Sequence, residues 1–210
     1  MLVVAKYQED MAWTRKYSQR LVIYNKGSRD TIPDDLLQFV VDLPNVGREA
    51  HTFLWHIVHN YDNLDEILVF VQGRCNDHLN KGWTVEDLFT LDGKMCSSNL
   101  VDSTLWGSYA STYDFRIPQW SGTRLAPTSH NETYGQWYER MFGTLFPHHD
   151  TKVYVGAIFS VRREVVLKYP KLIYERLLEE MSHDNAPEAA HFMERTWSKM
   201  FVKYQSDDAP

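Results

Sequence analysis

Short apolar runs alternate along this chain with longer segments in which apolar residues recur every three or four positions. Residues 2–5, 21–24 and 67–71 are continuous apolar runs, and their shortness and β-branched content predict strands buried on both faces. Residues 10–17 lack helix breakers, and apolar positions between 50 and 61 recur at helical spacing, so both segments predict helices. Strands that alternate with helices predict an α/β protein with a central, mostly parallel sheet flanked by helices.

The periodicity weakens in the middle of the chain. Residues 36–41 form only a weak apolar run, and residues 81–149 are rich in Gly, Ser, Thr, Trp and Tyr. This middle segment predicts loops and short helices that form a lid or an acceptor cleft. One helix is predicted over 138–146, because Pro147 would end it.

Clear periodicity returns near the end of the sequence. Residues 153–161 predict one strand that contains Gly156, and residues 162–181 predict a strong helix interrupted at Pro170. Residues 187–204 predict a last amphipathic helix. The polar residues 205–210 are typical of a frayed tail or of a linker to a further domain.

Length, charge and cysteine content narrow the classes of protein to which this chain can belong. A length of 210 residues is typical of one domain, which we expect over 1–204. No stretch approaches the roughly 20 apolar residues that cross a bilayer, so we expect no membrane span. Because the first residues lack the pattern of a signal peptide, we expect a cytoplasmic protein. The net charge of −6 disfavours nucleic acid as a partner. The two cysteines, Cys75 and Cys96, match neither a redox pair nor a zinc site.

The most informative candidate site follows the third apolar run, at Gln72, Gly73, Arg74, Asp77 and His78. Ligands of α/β proteins collect just beyond the carboxyl ends of such strands. Gly73 would let backbone approach a ligand, while Asp77 and His78 offer an oxygen and a nitrogen to a divalent metal ion. Such an ion neutralises the charge that develops on a diphosphate leaving group. His78 is the weaker ligand, because a histidine in a surface loop is more often without a metal.

Two other candidates lie at a strand end and at a helix start. Lys6 and Tyr7 follow the first predicted strand, where α/β proteins often hold a base or ribose, although an ordinary polar strand end explains them equally well. Asn45 and Arg48 precede a predicted helix, whose free N–H groups together with a guanidinium favour a diphosphate. The alternative, in which Asn45 caps the helix and Glu49 pairs with the capped amides, is compatible with anion binding.

The last candidate lies near the end of the chain. His191 and Glu194 are three residues apart, so on a helix they share one face. A carboxylate there can remove the proton of an acceptor hydroxyl, with His191 orienting it or reaching a metal. From spacing alone, a solvated pair of Glu194 with Arg195 is the favoured interpretation. The sequence contains no P-loop, GxSxG or HExxH motif, which removes several large enzyme classes.

Taken together, these clusters resemble a known family over most of the chain outside its middle segment. Residues 43–52, 69–73 and 156–161, followed by His191 and Glu194, are similar to the corresponding stretches of GT-A-type glycosyltransferases. They resemble most the N-terminal glycosyltransferase domains with which chlorella viruses build their capsid glycans. For a viral protein, the expected location is the host cytoplasm.

The resemblance implies a compact GT-A-like, Rossmann-like fold. It implies transfer of a hexose or deoxyhexose, glucose-like or L-rhamnose-like, from a UDP-sugar to a glycan or glycoprotein acceptor in capsid protein glycosylation, with Mn²⁺ or Mg²⁺ as cofactor. On this pattern the uridine would lie near Lys6 and Tyr7, the diphosphate near Arg48, and the sugar near Gly156. Asp77 would occupy the position of the metal-binding acidic motif.

The sequence departs from the family pattern at the metal site. The common motif is Asp-x-Asp, whereas this chain has the single carboxylate Asp77, so a histidine such as His78 or His191 would have to complete the site. The resemblance also reverses the interpretation of Glu194, which follows the glycine-containing strand where inverting members place their catalytic base. The prediction is therefore a metal-dependent, inverting glycosyltransferase.

Two alternatives come from other classes of protein. The first is a non-catalytic carbohydrate- or nucleotide-binding module, because aromatic side chains of the middle segment suit sugar stacking without chemistry. These residues are Trp106, Tyr109, Trp120 and Trp137. The second is a metal-dependent hydrolase that uses the same Asp and His side chains.

Overall fold

The computed structural model of this protein describes residues 1–77, 79, 82–90, 99–102, 113–117, 126–147 and 152–201. Five strands form the central sheet: β1 (Leu2–Lys6), β2 (Leu21–Asn25), β3 (Val40–Asp42), β4 (Ile67–Gln72) and β7 (Phe159–Arg162). Their order across the sheet is β3-β2-β1-β4-β7. A second, two-stranded sheet pairs β5 (Asn99–Asp102) with β6 (Lys152–Val155).

Strand direction decides where a site can form. Strands β1 to β4 run parallel to their neighbours, while β7 runs antiparallel to β4. The carboxyl ends of β1, β2, β3 and β4 therefore lie at one edge of the sheet. Because β7 runs the other way, it begins near that same edge, with Phe159 beside Phe70.

Six α-helices belong to the described residues. They are α1 (Arg48–Asn60), α2 (Val85–Thr90), α3 (Tyr134–Phe142), α4 (Arg163–Val166), α5 (Lys171–Glu180) and α6 (Glu188–Phe201). The chain also forms 3₁₀ helices at Ala12–Arg20, Asp34–Phe39, Tyr61–Asn63 and Cys75–Asp77.

The sheet is covered on both faces, because successive side chains of a strand point to opposite sides. On one face, Phe70 of β4 packs 5.0 Å from the ring of Phe53 on α1, and Trp197 of α6 joins the same cluster. On the other face, Val71 packs in a separate cluster with Leu36 from the second 3₁₀ helix. The α/β prediction with a mostly parallel mixed sheet flanked by helices is confirmed, and the arrangement is compatible with a Rossmann-like fold.

The strand predicted over 153–161 is wrong, because the segment contains two strands in different sheets. A turn at Gly156 and Ala157 separates β6 from β7. Gly156 has a φ of 104° and Ala157 has a φ of 47°, so the chain passes through the left-handed region. Hydrophobic periodicity reports burial and not the sheet that a residue joins, so the run alone did not reveal the break.

Helix boundaries differ from prediction in the weakly patterned segments. The helix expected at 138–146 is α3, which starts earlier because Thr133 and Gln136 form a capping box, and ends at Gly143 with a φ of 65°. The helix expected at 10–17 is a 3₁₀ helix at Ala12–Arg20. Helix α5 begins after Pro170 as expected, and the predicted tail at 205–210 lies outside the described residues.

Candidate functional site

A cleft of about 560 Å³ opens at the carboxyl edge of the sheet. The ends of β1 and β4 form its floor, and the loop and first turn of α1 form one wall. Its lining residues are Ala5, Lys6, Tyr7, Glu9, Lys26, Asn45, Arg48, Glu49, Gln72, Asn185 and Ala186. We call this cavity the large chamber.

A second cavity of about 280 Å³ adjoins the first. It is lined by Arg48, Glu49, Gln72, Gly156, Ala190, His191 and Glu194, and we call it the small chamber. Arg48, Glu49 and Gln72 line both chambers, so they mark the junction between them. The two chambers bring together eight of the predicted site residues: Lys6, Tyr7, Asn45, Arg48, Gln72, Gly156, His191 and Glu194.

The start of α1 is held in an unusual backbone conformation. Gly47 has a φ of 59° and Arg48 has a φ of 50°, both in the left-handed region. A side chain at Gly47 would meet the Met181 carbonyl oxygen at 2.4 Å, so only glycine fits between α1 and the end of α5. Lys26 fixes the same loop, since its Nζ donates hydrogen bonds of 2.5 Å to the carbonyl oxygens of Val46 and Arg48. A strained loop held from both sides is typical of a functional site.

This loop leaves the helix start without a side-chain cap. The N-cap residue is Gly47, which has no side chain to cap the helix, and Asn45 lines the large chamber and does not cap α1. The Glu49 carboxyl accepts a hydrogen bond from the backbone amide of its own residue. Within the described ranges, the Arg48 guanidinium forms neither an ion pair nor a hydrogen bond. A guanidinium at the positive end of a helix favours an anion.

Two lysines at strand ends differ in their surroundings. The Lys6 ammonium is buried and donates to the carbonyl oxygens of Tyr7 and Ser28 and to Asn25 Oδ1, at 2.9, 2.6 and 3.1 Å. Burial lowers the pKa of Lys6, and its side chain holds the turn after β2. Burial lowers the pKa of Lys26 to about 7 even though Glu49 raises it. An anion placed in the large chamber would therefore stabilise the charged form of this lysine.

In the small chamber, Glu194 fixes the turn between β6 and β7. Glu194 Oε1 accepts a 2.6 Å hydrogen bond from the amide of Gly156, and the Gly156 carbonyl oxygen accepts a 3.1 Å hydrogen bond from Gln72 Nε2. The strained Gly156–Ala157 turn is therefore tied both to α6 and to the end of β4. The prediction that Gly156 lines a sugar pocket has a structural counterpart in this chamber.

The second oxygen of Glu194 faces His191 and Arg195. Glu194 Oε2 lies 3.9 Å from His191 Nδ1 and 3.8 Å from an Arg195 nitrogen. Burial alone would raise the pKa of Glu194, but His191, the charge of Arg195 and the Gly156 amide outweigh burial and lower it. Glu194 is therefore an ionised carboxylate at neutral pH.

Glu49 lines both chambers, whereas sequence reasoning gave it only the role of pairing with the amides at the start of the helix. Burial raises the pKa of its carboxyl, and the charge of Glu194 raises it further, against the opposing charges of Arg48 and His191. Two carboxyl groups in one cleft are thus shifted in opposite directions, a pattern found at acid and base sites. In the sequence, Glu49 looked like an ordinary first-turn glutamate, because its position in the same chamber as Glu194 depends on how α6 packs.

The strand-end cluster at Gly73, Arg74 and Asp77 does not line either chamber. The Gly73 amide donates to the Ala5 carbonyl oxygen at 2.8 Å, and the Glu9 side chain occupies the space beside its Cα. Asp77 lies 3.8 Å from Arg74, and 61% of its side chain is exposed. The structure therefore does not bring these three residues together with the other predicted site residues.

The described residues alone do not assemble the metal site that is predicted at Asp77. Within the part of the chain that the structure describes, no group of three or more His, Cys, Asp or Glu side chains is arranged to hold a metal ion. His78, the predicted partner of Asp77, lies outside the described residues, so its role stays a prediction. Among the aromatic residues of the middle segment, Trp137 is buried in the core, and Trp106, Tyr109 and Trp120 also lie outside the described residues.

Comparison with known proteins identifies a family but not an activity. A family model described as "Protein of unknown function (DUF3431)" matches residues 2–210. No curated protein and no solved structure matches the chain. Over the described ranges, no helix has both the length and the apolar character needed to cross a membrane.

Proposed function

The chain belongs to the DUF3431 family, and we propose that it is a glycosyltransferase that moves a hexose or deoxyhexose from a UDP-sugar to a glycan acceptor. One observation carries this proposal: at the carboxyl edge of the sheet, a large chamber lined by Lys26 and Arg48, together with Glu9 and Glu49, adjoins a small chamber lined by Glu49, His191 and Glu194. A nucleotide sugar also has two parts, an anionic nucleoside diphosphate and a smaller neutral sugar. The viral setting and the cytoplasmic location stay predictions from the resemblance.

The large chamber suits the UDP part of the donor. Its volume of about 560 Å³ is within the range of about 300–1,000 Å³ that small-molecule sites occupy. Arg48 and the uncapped start of α1 would hold the diphosphate, and Lys26 adds a second cation beside them. Tyr7, whose side chain is half exposed at the end of β1, offers a ring against which a base can stack.

The small chamber suits the sugar and the attacking hydroxyl. The acceptor oxygen would bond to the anomeric carbon, the bond from that carbon to the diphosphate would break, and UDP would leave with the electron pair. The proton of the hydroxyl would pass to a carboxylate of the chamber, for which the sequence predicts Glu194 with His191 as its orienting partner. No step is assigned to a metal ion, because His78, the predicted partner of Asp77, lies outside the described residues, and dependence on Mn²⁺ or Mg²⁺ stays a prediction.

Release of UDP tests the proposal. We would incubate the chain with a panel of UDP-sugars, with and without oligosaccharide acceptors, and in Mn²⁺ or in EDTA. A glycosyltransferase releases UDP fastest when an acceptor is present, whereas a hydrolase releases it equally well without one. A binding module binds UDP in calorimetry and releases none from any donor, and that result would overturn the proposal.

A matched pair of variants tests the site itself. Glu194→Gln should lower transfer while UDP binding is unchanged, because Glu194 lines only the small chamber. Glu175→Gln, which changes an exposed glutamate on α5, is the control and should behave like the wild type. Full transfer by Glu194→Gln would remove the small chamber from the mechanism.

A further inference from the structure

We infer that Lys26 joins the donor to the loop that holds it, and that binding of UDP takes up a proton at this side chain. The Lys26 ammonium keeps two hydrogens on the carbonyl oxygens of Val46 and Arg48 and donates the third to a phosphate oxygen. This inference rests on the proposed function. It goes further, because the resemblance gives Lys26 no role and because it makes donor affinity depend on pH. Three features of the cleft support it.

The first feature is the position of the amine. Lys26 follows β2, and its Nζ donates to the carbonyl oxygens of Val46 and Arg48 at 2.5 Å each. Among the described residues, Nζ has no other hydrogen-bond partner and forms no ion pair. Lys26 also lines the large chamber, as Arg48 does. An anion that the Arg48 guanidinium binds in this chamber would therefore lie next to the Lys26 amine.

The second feature is the loop that Lys26 holds. Its two carbonyl partners flank Gly47, and Gly47 and Arg48 have φ values of 59° and 50°. The Gly47 amide donates to the Asp184 carbonyl oxygen at 2.8 Å, so the loop is fixed from β2 and from the segment before α6. A left-handed arginine costs free energy unless its surroundings fix it. Lys26 supplies part of that support, so it positions Arg48 as well as facing the chamber.

The third feature is the number of hydrogens on the amine. A neutral amine has two, and the two carbonyl oxygens use both, which leaves a lone pair for the chamber. An ammonium has three, so only the charged form has a hydrogen left for a phosphate oxygen. Burial lowers the pKa of Lys26 to about 7, so above that pH the neutral form prevails without a ligand. A diphosphate that binds there must then bring a proton to Lys26.

Other groups around Lys26 also carry charge or titrate. They are Arg48, Glu49 and His51 on α1, and Lys6, Tyr7 and Glu9 at and after the end of β1, whereas Asn185 and Ala186 before α6 do not titrate. Burial lowers the pKa of His51 to about 4, so His51 is neutral while Lys26 titrates. Lys6 Nζ already donates to three acceptors. Glu49, whose pKa is raised, could take up a proton beside a diphosphate as well, so variants must separate it from Lys26.

Calorimetric titration with UDP in buffers of different ionisation enthalpy measures the protons taken up per UDP bound. For the wild type relative to Lys26→Arg, the uptake should rise from near zero at about pH 6 toward one at about pH 8.5. The reference variant keeps a permanent cation, so the difference cancels the ionisation of UDP itself. The affinity of the wild type should fall by up to about tenfold per pH unit above neutral pH, and that of Lys26→Arg should not.

A second variant separates the phosphate contact from the support of the loop. Lys26→Met should bind UDP roughly 10- to 100-fold more weakly than the wild type at about pH 6, because a charge-assisted hydrogen bond is lost. The gap should shrink as the pH rises, because the wild-type lysine then loses its charge. A lysine that only supports the loop would give the same gap at every pH. Lys168→Met, at an exposed lysine that lines neither chamber, is the control.

The outcomes distinguish this inference from the proposed function. Proton uptake that persists in Lys26→Arg, or that vanishes in Glu49→Gln, would overturn the inference while the proposed transfer stands. The same conclusion follows if the wild type binds UDP without taking up a proton above neutral pH. If the wild type does not bind UDP, both the proposed function and the role of Lys26 fail.

Lysine ¹³Cε NMR gives a readout in the wild type that needs neither turnover nor a variant affinity. The Lys26 signal, assigned by its loss in Lys26→Met, should titrate near neutral pH without ligand and at higher pH with saturating UDP. Inorganic pyrophosphate, which has the diphosphate without the nucleoside, should move the midpoint in the same direction. A midpoint that UDP does not move would overturn the inference.

Discussion

Two pairs of glutamates lie in partly enclosed parts of this molecule, and the two pairs differ in their hydrogen-bond and ion-pair partners. Glu132 and Glu180 flank Arg140, which donates from Nε to Glu132 at 2.9 Å and from a terminal nitrogen to Glu180 at 3.2 Å. Ser129 adds a hydrogen bond of 3.0 Å to Glu180. We call this group the Arg140 cluster. Glu49 and Glu194 lie in the cleft, where Glu49 forms no ion pair and no hydrogen bond with another described side chain.

The difference in pairing distinguishes carboxyl groups that stabilise the fold from carboxyl groups that are available for chemistry. A buried polar network with all its members paired makes the packing of α3 against α5 specific and leaves no group to react. A carboxyl left without a partner costs free energy, and proteins retain such a cost mainly at functional sites. The cavity of about 370 Å³ beside the Arg140 cluster is larger than the small chamber, yet its carboxylate Glu180 is already neutralised.

Removal of Arg140 should give the largest effect. Arg140→Met leaves Glu132 and Glu180 without their cation, and breaking a buried pair costs about 3–5 kcal/mol. Because 28% of the Arg140 side chain is exposed, we expect a loss near the lower end of that range, about 3 kcal/mol. Urea unfolding measures it. Arg176→Met, at an exposed position beside the same cavity, should change stability by less than about 0.5 kcal/mol, and equal losses in the two variants would contradict the pairing.

Removal of Arg48 should affect binding more than folding. Arg48→Ala deletes the guanidinium at the start of α1, and a charge-assisted hydrogen bond is worth about 1.5–3 kcal/mol, so UDP affinity should fall roughly 10- to 100-fold. Calorimetric titration with UDP measures the change. Arg176→Ala is the matched control and should bind UDP as the wild type does. An unchanged affinity in Arg48→Ala would show that the large chamber does not hold the diphosphate.

The two glutamate pairs should respond oppositely to the same substitution. Glu180→Gln removes the charge that Arg140 and Ser129 bind, and should destabilise the fold by about 1–3 kcal/mol. Glu49→Gln removes a carboxyl whose ionised form is disfavoured by burial and by the charge of Glu194, and should stabilise the fold at neutral pH by on the order of 1 kcal/mol. Thermal and urea unfolding of both variants measure the two signs. A loss of stability in Glu49→Gln would mean that Glu49 is a structural residue like Glu180.

The smallest expected effect is the pH dependence of the stability that Glu49→Gln gains over the wild type. The pKa of Glu49 in the folded state is raised above its ordinary value of 4.5, so the folded state holds this proton more tightly than the unfolded state does. Its favourable contribution is fully present below about pH 4.5 and is lost as the pH rises through the folded-state pKa. The stability difference between Glu49→Gln and the wild type should therefore grow between pH 4.5 and pH 7, and a difference that is constant over this range would contradict the raised pKa.

Comparison of particular segments shows what local pattern can predict. Strands β1, β2 and β4 and helix α1 matched their predicted positions, because each is a strong apolar or amphipathic pattern that its own residues specify. The turn at Gly156 was missed, because the two strands that it separates join different sheets. The start of α3 was missed, because Thr133 and Gln136 precede the apolar pattern from which the helix was predicted.

The same distinction applies to the site. Short-range pattern suffices to place Lys6, Asn45, Arg48 and Gln72 at strand ends and at a helix start. That Asp77 lies outside the two chambers, and that Glu49 and Glu194 from different helices line the same one, follows only from the packing of the whole chain. The physical reason is that a cavity, and the pKa of a group inside it, depend on neighbours that are distant in the sequence and meet only when α1 and α6 pack at the same edge of the sheet.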